Sequence, residues 1–226
     1  MSFSPSSRAR LTGHDLNRFA SNTLFDRIGR AVCEAGCLPR KELYEAWEMG
    51  RRVRRVIRGG RVVDVAGGHG MLAQILLLLD DSSPEAVVID VAVPASAAKL
   101  HEALVRTWPR LGGRVHFREA PLEIGDVRAS DLVVSCHACG ALTDRVIATA
   151  VTARARVAVL PCCHDIETCD PGSLTGWIDA ALAIDVRRVA RLELQGYLVR
   201  AQVIPAEITP RNRLILATPM DGPELP

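Results

Sequence analysis

The chain has 226 residues, 48% hydrophobic, 24% charged and 4% aromatic, which is enough to bury a full core, fits one α/β domain better than two, and excludes disordered and fibrous classes. Its net charge of +2 is too small to imply a polyanionic partner by itself, but it is unevenly spread: up to Arg61 there are 13 Arg or Lys against six Asp or Glu, and the remainder is net −5. The cluster RRVRRVIRGGR, Arg51 to Arg61, supplies most of that excess, and reads either as a face for phosphate backbones or as a solvated arginine-rich helix surface.

The elements follow in chain order. NTLFDRIGRAVCEAG carries apolar residues at Leu24, Phe25, Ile28 and Val32 with a glycine stop at Gly36, and RKELYEAWEMGRRVRRVI continues with helix formers after Pro39. We therefore expect residues 1–58 to form an N-terminal helical region packed on a core of residues 59–226. From Gly60 short β-branched runs alternate with Ala- and Leu-rich segments: RVVDVA, MLAQILLLL, AVVIDV, ASAAKLHEALVRTW, RVHF, DLVVSC, ALTDRVIATAVT, RVAVL and SLTGWIDAALA. Strand and helix taking turns imply a doubly wound, mostly parallel α/β sheet. GYLVRAQVIP and NRLILATP are separated only by AEITPR, too short for a crossover helix, so the seventh and last strand should return antiparallel in a hairpin.

No apolar run is long enough to span a bilayer, and MSFSPSSRARLTGH lacks the apolar centre of a signal peptide, so we expect a cytoplasmic protein with no membrane partner. The odd count of seven cysteines argues against a disulfide framework and leaves thiols, metal ligands or a nucleophile open. No obligate protein partner is inferred.

VVDVAGGHGMLAQILLLL joins the first strand to the first helix of the alternating region. Gly68 to Ala73 alone fits the dinucleotide fingerprint G-x-G-x-x-A, with Asp90 twenty residues after Gly70 for ribose hydroxyls, so an NAD-dependent oxidoreductase is one reading. Asp64 inside the strand end argues the other way, because a carboxylate there holds a cationic amino-acid moiety and repels a pyrophosphate. With the terminal hairpin, this resembles the class I methyltransferases and their acidic-x-G-x-G-x-G motif, here Asp64, Ala66, Gly68 and Gly70, with Ala66 standing at the first glycine position. The resemblance covers residues 60–218 and implies a Rossmann-like methyltransferase using S-adenosylmethionine. It places the cofactor against Asp64, Ala66, Gly67, Gly68 and Gly70, against Asp90 and Val91 after the second strand, against Glu119, Ala120, Pro121 and Leu122 around the adenine, and against Cys136 and His137. His69 reads as a loop residue.

The fourth strand runs into Cys136-His137-Ala138-Cys139-Gly140 and the fifth into Pro161-Cys162-Cys163-His164. SCHACGALTDRVI followed by VAVLPCCHD resembles one methyltransferase branch, shared by tRNA acceptor-stem ribose methyltransferases and related methyltransferase-like proteins, in which H-x-C-G-x-x-T-D follows strand four and P-C-C follows strand five. His137, Cys139, Gly140, Thr143, Asp144, Pro161, Cys162 and Cys163 carry that match. It implies RNA as the acceptor, with a protein or small molecule as the alternative. The zinc modules of tRNA-modifying relatives have no counterpart, since Cys33 and Cys37 lack companion ligands.

Three readings of the thiols stay open. They line a crowded pocket as small hydrophobes; or Cys139 or Cys162 attacks the acceptor, helped by His137 or His164; or the set holds a metal, against which stands the rarity of adjacent cysteines sharing one tetrahedral ion. No metal is assigned. For a hydroxyl or amine acceptor the proton would go to His137 or Asp144, the latter equally suited to cap the following helix. A Lys-Asp-Lys-Glu ribose methyltransferase is disfavoured because Lys41 and Lys99 are the only lysines. Cys163, His164, Arg211 and Asn212 at the rim, and Asn22 on a helical lid, are the expected acceptor contacts.

Overall fold

The computed structural model describes residues 3–220. A single seven-stranded sheet in the order β3-β2-β1-β4-β5-β7-β6 organises it. Strands β1 (Val62–Val65), β2 (Ala86–Asp90), β3 (Val115–Glu119), β4 (Leu132–Ser135) and β5 (Arg156–Val159) are parallel, while β7 (Arg213–Pro219) runs antiparallel between β5 and β6 (Tyr197–Val203). The order reverses between β1 and β4, the point at which a doubly wound sheet opens a crevice beyond its carboxyl ends. Asp64 of β1 is level with Val134 of β4, and Ser135 with Val159 of β5, so the loops bearing the glycines and the cysteines emerge together.

Helices α3 (Met71–Leu79), α4 (Ala97–Thr107), α5 (Ala141–Thr152) and α6 (Ala180–Leu194) flank the sheet after the N-terminal α1 (Leu24–Ala35) and α2 (Arg40–Val56). Thr23 caps α1 by accepting the Asp26 N–H at 3.2 Å, and Gly36 ends it at φ 65°. α2 lies on α3: Gly50 lets the two approach, since a Cβ there would sit 2.7 Å from Ile75 Cγ2. Leu43, Met49 and Val53 of α2 share one buried cluster with Ile75, Leu76 and Leu132, so the N-terminal helices and the sheet close over a common core.

The segment SLTGWIDAALA departs from its expected helix. It begins as a short 3₁₀ turn, Gly172–Gly176, and α6 starts only after Asp179, whose carboxylate accepts the Leu182 N–H at 3.0 Å. Gly176 interrupts the first half, and none of residues 173–178 is buried, Trp177 being 88% exposed, so packing does not hold a helix there.

The basic cluster also reads differently in three dimensions. Arg54 is buried, bonded to Ser83 Oγ at 2.7 Å and paired with Asp80 at 3.2 Å; Arg51 and Arg52 pair with Glu48, and Arg61 pairs with Asp131 at 2.6 Å. Arg54 thus ties α2 to the residues beyond α3 and Arg61 ties the start of β1 to Asp131, while the pairs of Arg51 and Arg52 stay within α2. Among the described residues no helix is long and apolar enough to cross a membrane.

Candidate functional site

A cleft of about 400 Å³ opens at the carboxyl ends of β1, β2 and β4, roofed by α2. Asp64, Ala66, Gly67, Gly68, Asp90, Cys136 and His137 all line it. The loop after β1 turns through Ala66 at φ 52° and Gly68 at φ 50°. For alanine that left-handed conformation carries strain of about 1–2 kcal/mol. Gly67 packs face-on over the acid beneath it, because a Cβ would come within 2.8 Å of Asp64 Cγ. Gly70 starts α3 at φ 67°. Asp90 ties the walls together, its two carboxylate oxygens accepting the N–H groups of Gly68 at 2.9 Å and Ala92 at 3.1 Å.

Among the described residues Asp64 is a buried acid with no ion-pair partner. One oxygen accepts the Ala73 N–H at 3.1 Å; the other is buried with no partner. Burial pushes this carboxyl up to about 7, with Asp90 adding to the effect against the Ala73 hydrogen bond. A buried acid with one unmet oxygen on the wall of a cleft is suited to receive a cation.

A smaller crevice of about 80 Å³ adjoins the cleft through the shared walls Ala66 and Asp90, and Val91, Ala120, Pro121 and Leu122 complete it. Glu119 does not face it: its carboxylate accepts the Val93 N–H at 2.9 Å and holds the loop after β2.

α2 supplies wall residues that the sequence reading missed. Glu42 and Ala46 line the cleft, and burial raises the Glu42 carboxyl to about 6. Glu45 is buried beside Cys136 and His137, all three donor atoms lying within 4.8 Å of one another; Lys41 holds one carboxylate at 3.0 Å while Oε2 has no partner. The available signal was an acid at 45 inside the apolar stripe Leu43, Ala46, Met49. His69 likewise faces the cleft, hydrogen-bonded to Ser96 Oγ at 2.9 Å.

Several expected acceptor contacts are elsewhere. Asp144 neither caps α5, whose N-cap Gly140 offers no side chain, nor lines the cleft: Arg188 binds it at 2.8 and 3.1 Å. His164 is buried against Asp185, its Nε2 lying 2.8 Å from each carboxylate oxygen, and Arg211 approaches its Nδ1 at 3.3 Å. Asn212 donates to the Ile204 carbonyl at 2.9 Å and fastens the β6–β7 hairpin. Asn22 is exposed and takes no part in the cleft wall, because α1 packs on α4 while α2 forms the roof.

The thiols converge. Cys139 Sγ lies 3.0 Å from Cys162 Sγ, and Cys162 Sγ lies 3.8 Å from Cys163 Sγ. Burial pushes Cys139 and Cys162 above the ordinary thiol range, and neighbouring sulfurs push Cys162 further. An attacking thiolate needs the opposite shift, and His164 is already engaged, so the nucleophilic reading of Cys139 and Cys162 finds no support. Burial lowers His137 from its usual value, leaving a neutral imidazole on the cleft wall at physiological pH.

Comparison with known proteins agrees with this geometry. A family model described as a methyltransferase domain matches residues 44–168, more than half of the chain. Among solved structures, an O-methyltransferase family protein from Burkholderia thailandensis superposes with a TM-score of 0.52 at 18% identity, over 92% of this chain and 64% of that one. A tRNA methyltransferase of Bacillus subtilis gives 0.51 at 12% identity, over 77% and 66%, and a putative O-methyltransferase from Nostoc punctiforme gives 0.50 at 15%, over 90% and 67%. The chain thus spans less than two-thirds of the Burkholderia protein's length, and these likenesses speak for the fold alone. No curated protein matches the sequence. The fold is that of a class I, Rossmann-like methyltransferase, and the chain belongs to the methyltransferase-domain family.

Proposed function

We propose that this methyltransferase uses S-adenosylmethionine, held in the cleft between Asp64 and Asp90, and methylates a nucleophile presented at the His137 lip. The observation that carries this reading is the buried, unpartnered oxygen of Asp64 on the cleft wall. A cationic ammonium group answers it; a pyrophosphate would not, which counts against the NAD reading. Asp90 stands where the two cavities join, as an acceptor for ribose hydroxyls, and Ala120 to Leu122 bound the crevice suited to a flat base.

The cofactor supplies a methyl group already activated by a sulfonium. The residues of the chain then have two tasks: α2 and the glycine loop exclude water and align the acceptor, and neutral His137 takes the acceptor's proton on its ring nitrogen. Of the two proton acceptors expected from the sequence, only His137 lines the cleft.

RNA is the acceptor we propose, on the resemblance carried by His137, Cys139, Asp144 and Cys162–Cys163. A small-molecule acceptor is the second reading, favoured by one observation: the arginines of 51–61 are largely spent on internal pairs. Transfer of labelled methyl to RNA, protein and small-molecule fractions of a cell extract, with an Asp90→Ala control, tests both. Label in RNA that the control lacks supports the first; label confined to small molecules supports the second; no label above the control overturns the enzyme assignment of the cleft.

A further inference from the structure

Cys139 leaves β4, Cys162 and Cys163 leave β5, and the three sulfurs lie within 4.8 Å of one another. We propose that they form a three-thiolate site for a soft divalent ion of the zinc class, clipping together the loops that follow β4 and β5. The objection to adjacent cysteines assumes a regular backbone, in which neighbouring side chains diverge. Pro161 follows the end of β5 and residues 160–165 adopt no regular structure, so Cys162 and Cys163 turn their sulfurs to the same side, 3.8 Å apart. Zinc–sulfur bonds of about 2.3 Å in a tetrahedron set sulfurs about 3.8 Å apart. The Cys139–Cys162 separation of 3.0 Å therefore has to open by less than an ångström, within two loops already joined by the Gly140 N–H on the Cys163 carbonyl at 3.3 Å.

The donor set is all sulfur, which selects soft ions over magnesium or calcium. Binding releases three thiol protons to solvent and forms three metal–sulfur bonds, with no change of oxidation state. Cys139 and Cys163 are exposed, so the ion has an entry path, and water or a ligand heteroatom would complete its coordination. The other cysteines are separate: Cys136 is buried, and Cys169 accepts from Arg188 at 3.6 Å. A disulfide between Cys139 and Cys162 would use two of the three sulfurs and require an oxidant.

Cobalt(II), added to the reduced 226-residue chain without oxygen, reads the site independently of cofactor and methyl transfer. We expect one equivalent bound with a thiolate-to-cobalt charge-transfer band, displaced by zinc, and three thiols protected from alkylation by zinc. Cys139→Ser, Cys162→Ser and the exposed Cys163→Ala should each weaken binding at least 100-fold, and Cys169→Ser should leave it unchanged. No charge-transfer band in the wild-type chain, an undiminished band in folded Cys163→Ala, or a Cys139–Cys162 disulfide with no cobalt uptake after reduction would overturn the proposal.

Discussion

Two buried aspartates separate the working half of the molecule from its scaffold. Asp64, at the glycine loop, and Asp185, on α6, are both almost fully buried. Burial pushes each carboxyl up, but at Asp185 the hydrogen bonds from His164 and Arg213 outweigh it and hold the group below the usual range, with Arg188 adjoining at 3.2 Å. At Asp64 nothing of the kind arrives, and the carboxyl stays near 7. The same residue at the same depth is settled in one place and unsatisfied in the other. Where buried charges meet one another the protein is holding itself together; where one is left over, a ligand is expected.

Removing the cation from the settled half should have the largest effect. Arg188→Leu takes the buried cation from Asp144 and one contact from Asp185, which keeps His164 and Arg213, and we expect a loss of about 3 kcal/mol in urea denaturation. The unsettled half should respond with the opposite sign. Asp64→Asn removes an ionisation that folding disfavours, so the ligand-free chain gains on the order of 1–3 kcal/mol at pH 8. The pH dependence follows from the raised value: the wild type holds its proton more tightly folded than unfolded, so stability from this group is present in acid and lost as pH rises through about 7. Near pH 4 the two proteins should therefore converge, and a gap there equal to that at pH 8 would sever the comparison. Ala66→Gly relieves the φ 52° turn beside Asp64, and a gain of about 0.5–1 kcal/mol in thermal denaturation is expected after the extra glycine entropy is subtracted. The smallest effect belongs to Asn22→Ala, expected within ±0.5 kcal/mol of wild type and unchanged in methyl transfer, since the residue is exposed away from both regions.

The division between legible and illegible runs along range. Local periodicity and turn chemistry are written in neighbouring residues, so α3 and α5 begin and end where MLAQILLLL and ALTDRVIATAVT do, and the short AEITPR link implies the hairpin. The glycine loop and Asp64 are equally local, and they line the cleft. Pairing across the fold is not local. Nothing near Asp144 announces Arg188, 44 residues on, and nothing near His164 announces Asp185, so two residues with catalytic chemistry are taken up by partners distant in sequence, Asp144 by the Arg188 guanidinium and His164 by the Asp185 carboxylate. The pairing of the arginine cluster is local only in part: Glu48 lies one turn before Arg51 and Arg52, but Asp80 and Asp131, which take Arg54 and Arg61, come from far along the chain. Glu42 and Glu45 went unnoticed because their significance depends on α2 lying over the loop after β4, which the helix's own sequence does not state.

Asp64 can be questioned directly by titration calorimetry with S-adenosylmethionine near pH 7, in two buffers of different ionisation enthalpy. If the cationic cofactor takes up the unmet oxygen, the carboxyl must ionise on binding, so the wild type should bind one equivalent and release about half a proton, giving a buffer-dependent heat. Asp64→Asn should bind at least 100-fold more weakly. Tight binding by Asp64→Asn, or wild-type binding with the same heat in both buffers, would contradict the account.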